Sequence, residues 1–321
     1  VTSLQSYSEL ELLNIIISMC TSNKFPNVDN IFFQEGYRIV SIDRSVTTSS
    51  GSVKYDLVLS STIKNLTLCF ELKGFKASNI STEQLNRYKG LSTEEYIRLA
   101  GIQANDTINH KLQTIIGINL ENLLKTEEYQ VREGYNFPIL SFGSQTISVS
   151  FKELNDVEIN RKLTKSVSTL GTPLTFIHFD KESRMSDLAH RTIPTIYSYA
   201  KVGTSMFTVE QIVNDVYCSV KELHNIIGPD VKKAVVNKIK SLLKQMSKEE
   251  FKNYLSWNGK DKCWMISKIH SESHHTTDFA FQKAGRNFIE RLDKEIPFKI
   301  DKDIPQGQLS LFDEVEVLDI N

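Results

Sequence analysis

The chain has 321 residues, 40% of them hydrophobic and 24% charged, with a formal net charge of -1, so it can bury a sizeable core while its overall charge singles out no partner. Its four cysteines (Cys20, Cys69, Cys218, Cys263) are widely spaced and form no CxxC pair, which argues against a disulfide scaffold or a zinc ribbon and for a reducing compartment. No apolar run of about 18 residues is present and no secretory signal pattern is seen, so no membrane partner and a cytoplasmic location are expected; the opening residue, Val1, leaves the native N-terminus open.

Residues 7–20 are the first expected helix. Ser8 and Glu11 have capping-box spacing, Tyr7 and Leu12 suit a hydrophobic staple, and Leu10, Leu12, Leu13, Ile16, Ile17 and Cys20 supply apolar surface. Phe25-Pro26-Asn27 is a break, residues 31–47 suggest one or two strands around Gly36, and Thr47 to Gly51 is a polar turn. Two strands follow over residues 53–74, with the period-2 alternation of half-buried strands. On the second, Leu66, Leu68, Phe70 and Leu72 share one face, and Thr67, Cys69, Glu71 and Lys73 the other. Folding symmetrically about Ile63-Lys64 pairs Ser61 with Leu66, Ser60 with Thr67 and, further down, Asp56 with Glu71. Opposed side chains on antiparallel strands have Cβ atoms roughly 5 Å apart, so two carboxylates there repel unless a cation lies between them.

Residues 81–100 are expected to be helical with a break at Gly90, which puts Gln84 and Tyr88 on one face. Residues 106–128 read as another helix, and 137–151 and 173–180 as further strands, giving an α/β (α+β) domain with a mixed sheet over residues 1–180. From there the chain turns helical and lysine-rich, with helix candidates at Phe207 to Leu223, Val231 to Met246 and Lys248 to Leu255, the last with a Ser247/Glu250 capping-box spacing. Asn258-Gly259 is a hairpin signal, and three helices followed by a two-stranded turn outline a winged-helix-like domain over residues 181–300. Residues 231–270 hold ten lysines against three acids, and Lys232, Lys233, Lys238 and Lys240 are candidate phosphate contacts; a solvated helix face is the plainer alternative. Residues 301–321 carry one lysine and six acids and read as a flexible acidic tail.

Two resemblances arise from these residues. Asp56 with Glu71-Leu72-Lys73, set across a strand pair, resembles the PD-(D/E)XK nuclease superfamily, whose core is a restriction-endonuclease-like mixed sheet flanked by helices. Gln84-Leu85-Asn86-Arg87-Tyr88 is similar to the QxxxY element of its RecB-like branch, and the likeness spans roughly residues 8–180. The pattern departs at Tyr55, where a proline would precede the aspartate. The resemblance implies Mg²⁺, with Mn²⁺ as an alternative, held by Asp56, Glu71 and the Leu72 carbonyl, with Glu9 on the first helix as a further acid because Glu11 is committed to the cap. It implies that Lys73 holds or helps deprotonate a water, and that Gln84 and Tyr88 steady the site. In the tail, Gln308-Leu309-Ser310-Leu311-Phe312 is similar to the bacterial sliding-clamp-binding pentapeptide, and implies that clamp as a partner.

Plainer readings stand beside these. Asp56 could cap a turn, Glu71 and Lys73 could be an ion pair on an edge strand, and Ser81-Thr82-Glu83-Gln84 fits a capping box with Gln84 at N3. His270, His274 and His275 have helical spacing open to zinc but no cysteines nearby; Trp257 and Trp264 suit a core better than base stacking; and Leu309, Leu311 and Phe312 could fold back onto their own domain. The expectation is a metal-dependent endonuclease acting on double-stranded DNA, nucleoid-associated, recruited by the sliding clamp in restriction, phage defence, repair or mobile-element processing, with homodimerisation left open. A sequence-specific type II restriction endonuclease and a non-catalytic DNA-binding adaptor on a nuclease fold are the alternatives.

Overall fold

The computed structural model describes residues 6–22, 29–75, 81–144, 146–163, 175–266 and 274–294. They fall into two compact units: residues up to Asp180 together with Cys218–Lys233, and Lys181–Tyr217 together with residues from Ala234 onward. No helix among the described residues is long and apolar enough to cross a membrane.

The first unit is a mixed α/β structure. Its elements run α1 (Glu9–Met19), α2 (Ile31–Gln34), β1 (Arg38–Thr48), β2 (Gly51–Ser61), β3 (Leu66–Lys73), α3 (Thr82–Lys89), α4 (Thr93–Ala100), β4 (Lys111–Asn119), α5 (Leu123–Glu133), β5 (Ile139–Phe142), β6 (Ile147–Ser150) and α6 (Val157–Leu163). The six strands form one sheet in sequence order, with β3–β4 and β4–β5 parallel and the other neighbours antiparallel. The capping box starts α1 as its spacing requires: Ser8 N–H donates to Glu11 Oε2 at 2.7 Å and Glu11 N–H to Ser8 Oγ at 3.2 Å. Glycine ends α3 at Gly90 and α4 at Gly101, the latter in the left-handed conformation that suits glycine.

The β2–β3 hairpin follows the symmetry register from Ser61 opposite Leu66 to Leu57 opposite Phe70, but the ladder stops there, so the expected Asp56–Glu71 pair is not part of it. Half-burial does not hold for β3. Parallel pairing with β4 makes it an interior strand, so even Thr67, Cys69 and Glu71 are buried, Glu71 being 2% exposed. One face carries Phe70 edge-on to Phe32 of α2, with ring centroids 5.9 Å apart. Toward the other, Cys69 packs in a cluster with Leu85 and Tyr88 of α3 and Tyr96 and Ile97 of α4.

Of the one or two strands expected over residues 31–47, one forms, β1, preceded by the short helix α2. Two expectations for this unit are corrected. Residues 106–128 are not one helix: Ile115, Ile116 and Ile118 are β-branched and all buried, which suits the interior strand β4, and the helix starts only at Leu123. Within 173–180 no strand forms among the described residues beyond an isolated bridge between Ile177 and Cys218. Buried Asn14 takes the backbone groups a neighbouring strand would have taken: its Oδ1 accepts from Phe176 N at 2.7 Å and Ile177 N at 2.9 Å, and its Nδ2 donates to Ile177 O at 2.9 Å.

The second unit holds α7 (Met185–Lys201), β7 (Met206–Phe207), α8 (Val209–Val216), β8 (Leu255–Asn258), β9 (Cys263–Ile266), α10 (His274–Lys294) and most of α9 (Pro229–Lys248). The hairpin at Asn258-Gly259 forms, and β7 joins it as a third antiparallel strand in the order β7-β9-β8. The expected helix over residues 207–223 is shorter, with Lys221–Asn225 a separate 3-10 turn. The expected helix over residues 248–255 is absent: Ser247 lies inside α9, its hydroxyl donating to Lys244 O at 3.0 Å, so it is no N-cap. The chain instead turns Phe251 and Tyr254 into an aromatic cluster with Phe281 and Phe288 of α10. Trp264 belongs to this unit's core, while Trp257, edge-on to it at 5.3 Å, is partly exposed.

Candidate functional site

The ladder between β2 and β3 ends at Leu57 and Phe70, and chemistry begins at the next residues. Asp56, still within β2, accepts the Leu72 N–H through its carboxylate at 2.6 Å, which holds it against the end of β3 rather than in a turn cap. Glu71 points into the helical side of the sheet, and every approach to its carboxylate is made by a donor. Lys73 Nζ lies 2.7 Å from Oε1; Gln84 Nε2 and Tyr88 Oη lie 2.7 Å and 2.6 Å from Oε2. Glutamine and tyrosine four apart on α3 thus meet one carboxylate oxygen. The Gln84 amide is spent there, while Ser81 alone caps the helix, accepting from Gln84 N at 3.4 Å.

The neighbours of this cluster explain its rigidity. Tyr88 stacks on Tyr55, ring centroids 4.4 Å apart and 21° between planes, and its hydroxyl also lies 2.6 Å from Lys54 O. Tyr55, the residue standing where the nuclease pattern has proline, is fully buried with its hydroxyl 2.7 Å from Thr114 Oγ1. At the other end, Gly74 permits the first turn of α1 to approach: a Cβ there would lie 2.7 Å from Glu9 N. This contact brings Glu9 Oε1 to 3.7 Å from Lys73 Nζ.

Electrostatically, three carboxylates (Glu9, Asp56, Glu71) share one ammonium. Burial and the Glu71 charge push the Asp56 carboxyl well above its ordinary range, against the opposing pull of Lys73 and the Leu72 N–H. Burial raises Glu9 too, opposed by Lys73 and aided by Glu71 and Asp180. Burial disfavours the Lys73 ammonium, but the charges of Glu71, Asp56 and Glu9 outweigh it and hold the group above its usual value, so Lys73 is a cation at neutral pH. Such a site is short of positive charge. Among the described residues no group of three or more His, Cys, Asp or Glu side chains is disposed to hold a metal ion. The available donor set is two carboxylates, with backbone oxygen and water for the rest, which suits a hard divalent cation that keeps several waters.

The remaining sequence candidates are dispersed. Lys232, Lys233, Lys238 and Lys240 all lie on α9, but only Lys233 and Lys240 are exposed. Lys238 donates to Ser183 O at 2.7 Å and also to Lys181 O, so it braces the chain before α7. His274 and His275 open α10, while His270 and the Gln308, Leu309, Ser310, Leu311, Phe312 motif lie outside the described residues. Sequence reasoning missed the close approach at Gly74 and the charge of Asp180, and took Tyr55 only as a departure from the nuclease pattern; a glycine directly after Lys73 was a legible signal, whereas Asp180 is distant in sequence and had none.

Residues 8–178, more than half of the chain, match the family model of the MJECL32 domain. The chain belongs to the MJECL32 domain family. The match begins at the Ser8 cap of α1 and so includes every residue of the cluster, Glu9, Asp56, Glu71, Leu72, Lys73, Gln84 and Tyr88. No curated protein and no solved structure matches the chain.

Proposed function

We propose that this MJECL32-domain protein is a metal-dependent phosphodiester hydrolase acting on DNA, with a restriction-endonuclease-like core. The observation that carries the reading is the convergence of Lys73, Gln84 and Tyr88 on the buried Glu71 carboxylate, with Asp56 of β2 bonded to the N–H of the next residue, Leu72. A structural ion pair needs only Glu71 and Lys73; it does not account for a second carboxylate whose ionisation the first opposes.

In this reading Asp56, Glu71 and the Leu72 carbonyl hold Mg²⁺ or Mn²⁺, with Glu9 as a further acid. When bound, the ion supplies Lewis acidity, which lowers the pKa of a coordinated water and offsets charge on a phosphate. Lys73, 2.7 Å from Glu71 Oε1, would place positive charge toward a scissile phosphate and the attacking water. Gln84 and Tyr88 keep Glu71 in one orientation. The second unit, with its helices and three-stranded sheet, is assigned a winged-helix-like DNA-binding role through exposed Lys240 of α9, with Lys233, on the part of α9 that belongs to the first unit, as a further phosphate contact. The Gln308-Leu309-Ser310-Leu311-Phe312 segment is assigned to a sliding clamp, whose recruitment would place the enzyme on replicating DNA.

Plasmid cleavage in Mg²⁺ tests the core of this reading: Glu71→Ala and Lys73→Ala should each abolish it, and unchanged cleavage would show the site to be wrongly assigned. Loss of clamp binding in the Gln308→Ala, Phe312→Ala double variant tests the tail separately.

A further inference from the structure

Beside the Glu71 cluster, on the far side of Gln84 and Tyr88, lies a cavity of about 220 Å³ lined by Ser52, Lys54, Ser81, Gln84, Arg87 and Tyr88. Its lining holds two cations, two serine hydroxyls, an amide and a phenol, and no carboxylate. Ser81 is also the N-cap of α3, so the cavity borders the positive end of that helix. Arg87 is set in place by its NH1, which donates to Ser52 O at 2.8 Å, and by its stem, which lies 3.7 Å from where a Cβ on Gly51 would be. Its NH2 reaches Glu83 at 3.2 Å, but that carboxylate is 81% exposed, and such an i,i+4 surface pair exchanges readily for a stronger anion. Its buried Nε has no partner among the described residues. Lys54 pairs with Asp43, which is not part of the lining.

We propose that this cavity is a phosphate subsite for a nucleic acid strand, holding a phosphate adjacent to the one presented to Asp56, Glu71 and Lys73. Arginine, lysine, serine hydroxyls and a helix N-terminus are the groups that position a strand by its backbone without reading its bases. Gln84 and Tyr88 form a wall common to both places: each lines the cavity and each bonds Glu71. A ligand spanning that wall needs anionic groups in series, which a polynucleotide has and a free phosphate lacks. The identity of the second place rests on the hydrolase reading above; the anion preference of the cavity rests on its own lining.

The test is DNA binding by the full chain in EDTA, where no cleavage is needed, followed by the anisotropy of a labelled duplex over a salt series. Arg87→Gln and Lys54→Gln should each weaken binding about tenfold, as expected for loss of one charge-assisted contact, and lower the salt slope by about one. Arg87→Lys should keep the slope and recover part of the affinity, which a misfolded variant would not do. Inorganic phosphate should compete with the duplex on the wild type more strongly than on Arg87→Gln. Unchanged affinity and slope in both glutamine variants would overturn the subsite, whatever Glu71→Ala does to cleavage. Thermal stabilisation by inorganic phosphate without duplex binding would assign the cavity to a free anion and overturn the strand proposal. Loss of duplex affinity in the variants of a protein that never cleaves would sustain the subsite and remove the hydrolase reading instead.

Discussion

The two carboxylates of the cluster should respond in opposite directions to loss of their charge. Glu71→Gln keeps the shape of the side chain but confronts three donors, Lys73 Nζ, Gln84 Nε2 and Tyr88 Oη, with an amide that has only one acceptor oxygen. With that oxygen facing Lys73, the amide NH2 faces Gln84 and Tyr88, which must reverse their hydrogen bonds, and Lys73 is left with Glu9 at 3.7 Å as its nearest remaining ion-pair partner. Breaking a buried pair costs about 3–5 kcal/mol, and the surviving acids favour the lower end. Asp56→Asn keeps an oxygen for the Leu72 N–H and removes the charge that burial and Glu71 oppose. In EDTA at pH 8 this variant should match or exceed the wild type. The sign follows from linkage: an acid whose folded pKa is raised destabilises the fold as pH climbs from the unfolded pKa, about 3.9, through the folded one. The advantage of Asp56→Asn should therefore be absent below about pH 4 and widen above it. Urea unfolding followed by far-UV circular dichroism is the assay, because both tryptophans, Trp257 and Trp264, lie in the second unit and would not report on this sheet. Glu71→Gln should lower the midpoint by about 1–3 M at a typical slope for urea. Equal destabilisation by the two variants would refute the claim that Asp56 and Glu71 oppose one another.

Other consequences follow from single contacts. Gly74→Ala should push α1 off the end of β3, costing about 1–3 kcal/mol and reducing cleavage by displacing Glu9; an unchanged midpoint and rate would remove Glu9 from the site. Tyr88→Phe, which loses a bond to a carboxylate while keeping the stack on Tyr55, should cost about 1.5–3 kcal/mol, against roughly 1 for Tyr55→Phe, whose partner is the neutral Thr114 hydroxyl; the reverse order in urea midpoints would contradict the geometry. Neutralising Lys233 and Lys240 should reduce the salt slope of DNA binding by up to about two without altering stability, whereas Lys238→Gln should lower stability because that ammonium donates to Lys181 O and Ser183 O.

Local pattern determined a good part of the first unit. The Ser8–Glu11 box, the break at Gly90, the symmetry of the β2–β3 hairpin and the i,i+4 placement of Gln84 and Tyr88 are all short-range features, set by caps, turns and helical spacing, and the structure contains them. The errors lie where tertiary context overrides pattern. Residues 106–128 carry apolar positions compatible with a helix, but β-branched residues buried on both sides make Lys111–Asn119 an interior strand. Residues 173–180 are apolar enough for a strand, but Asn14 takes the backbone groups of Phe176 and Ile177. The same division holds at the site. The sequence names Asp56, Glu71, Lys73, Gln84 and Tyr88 through their types and spacing. Only the fold decides that Asp56 takes the Leu72 N–H, that Tyr55 stacks behind Tyr88 and that Gly74 admits Glu9, because each joins residues whose proximity depends on how the sheet and its helices pack. Lys238 shows the limit from the other side: its charge was legible, but its use as a brace to two backbone carbonyls appears only once the chain before α7 is folded beside α9.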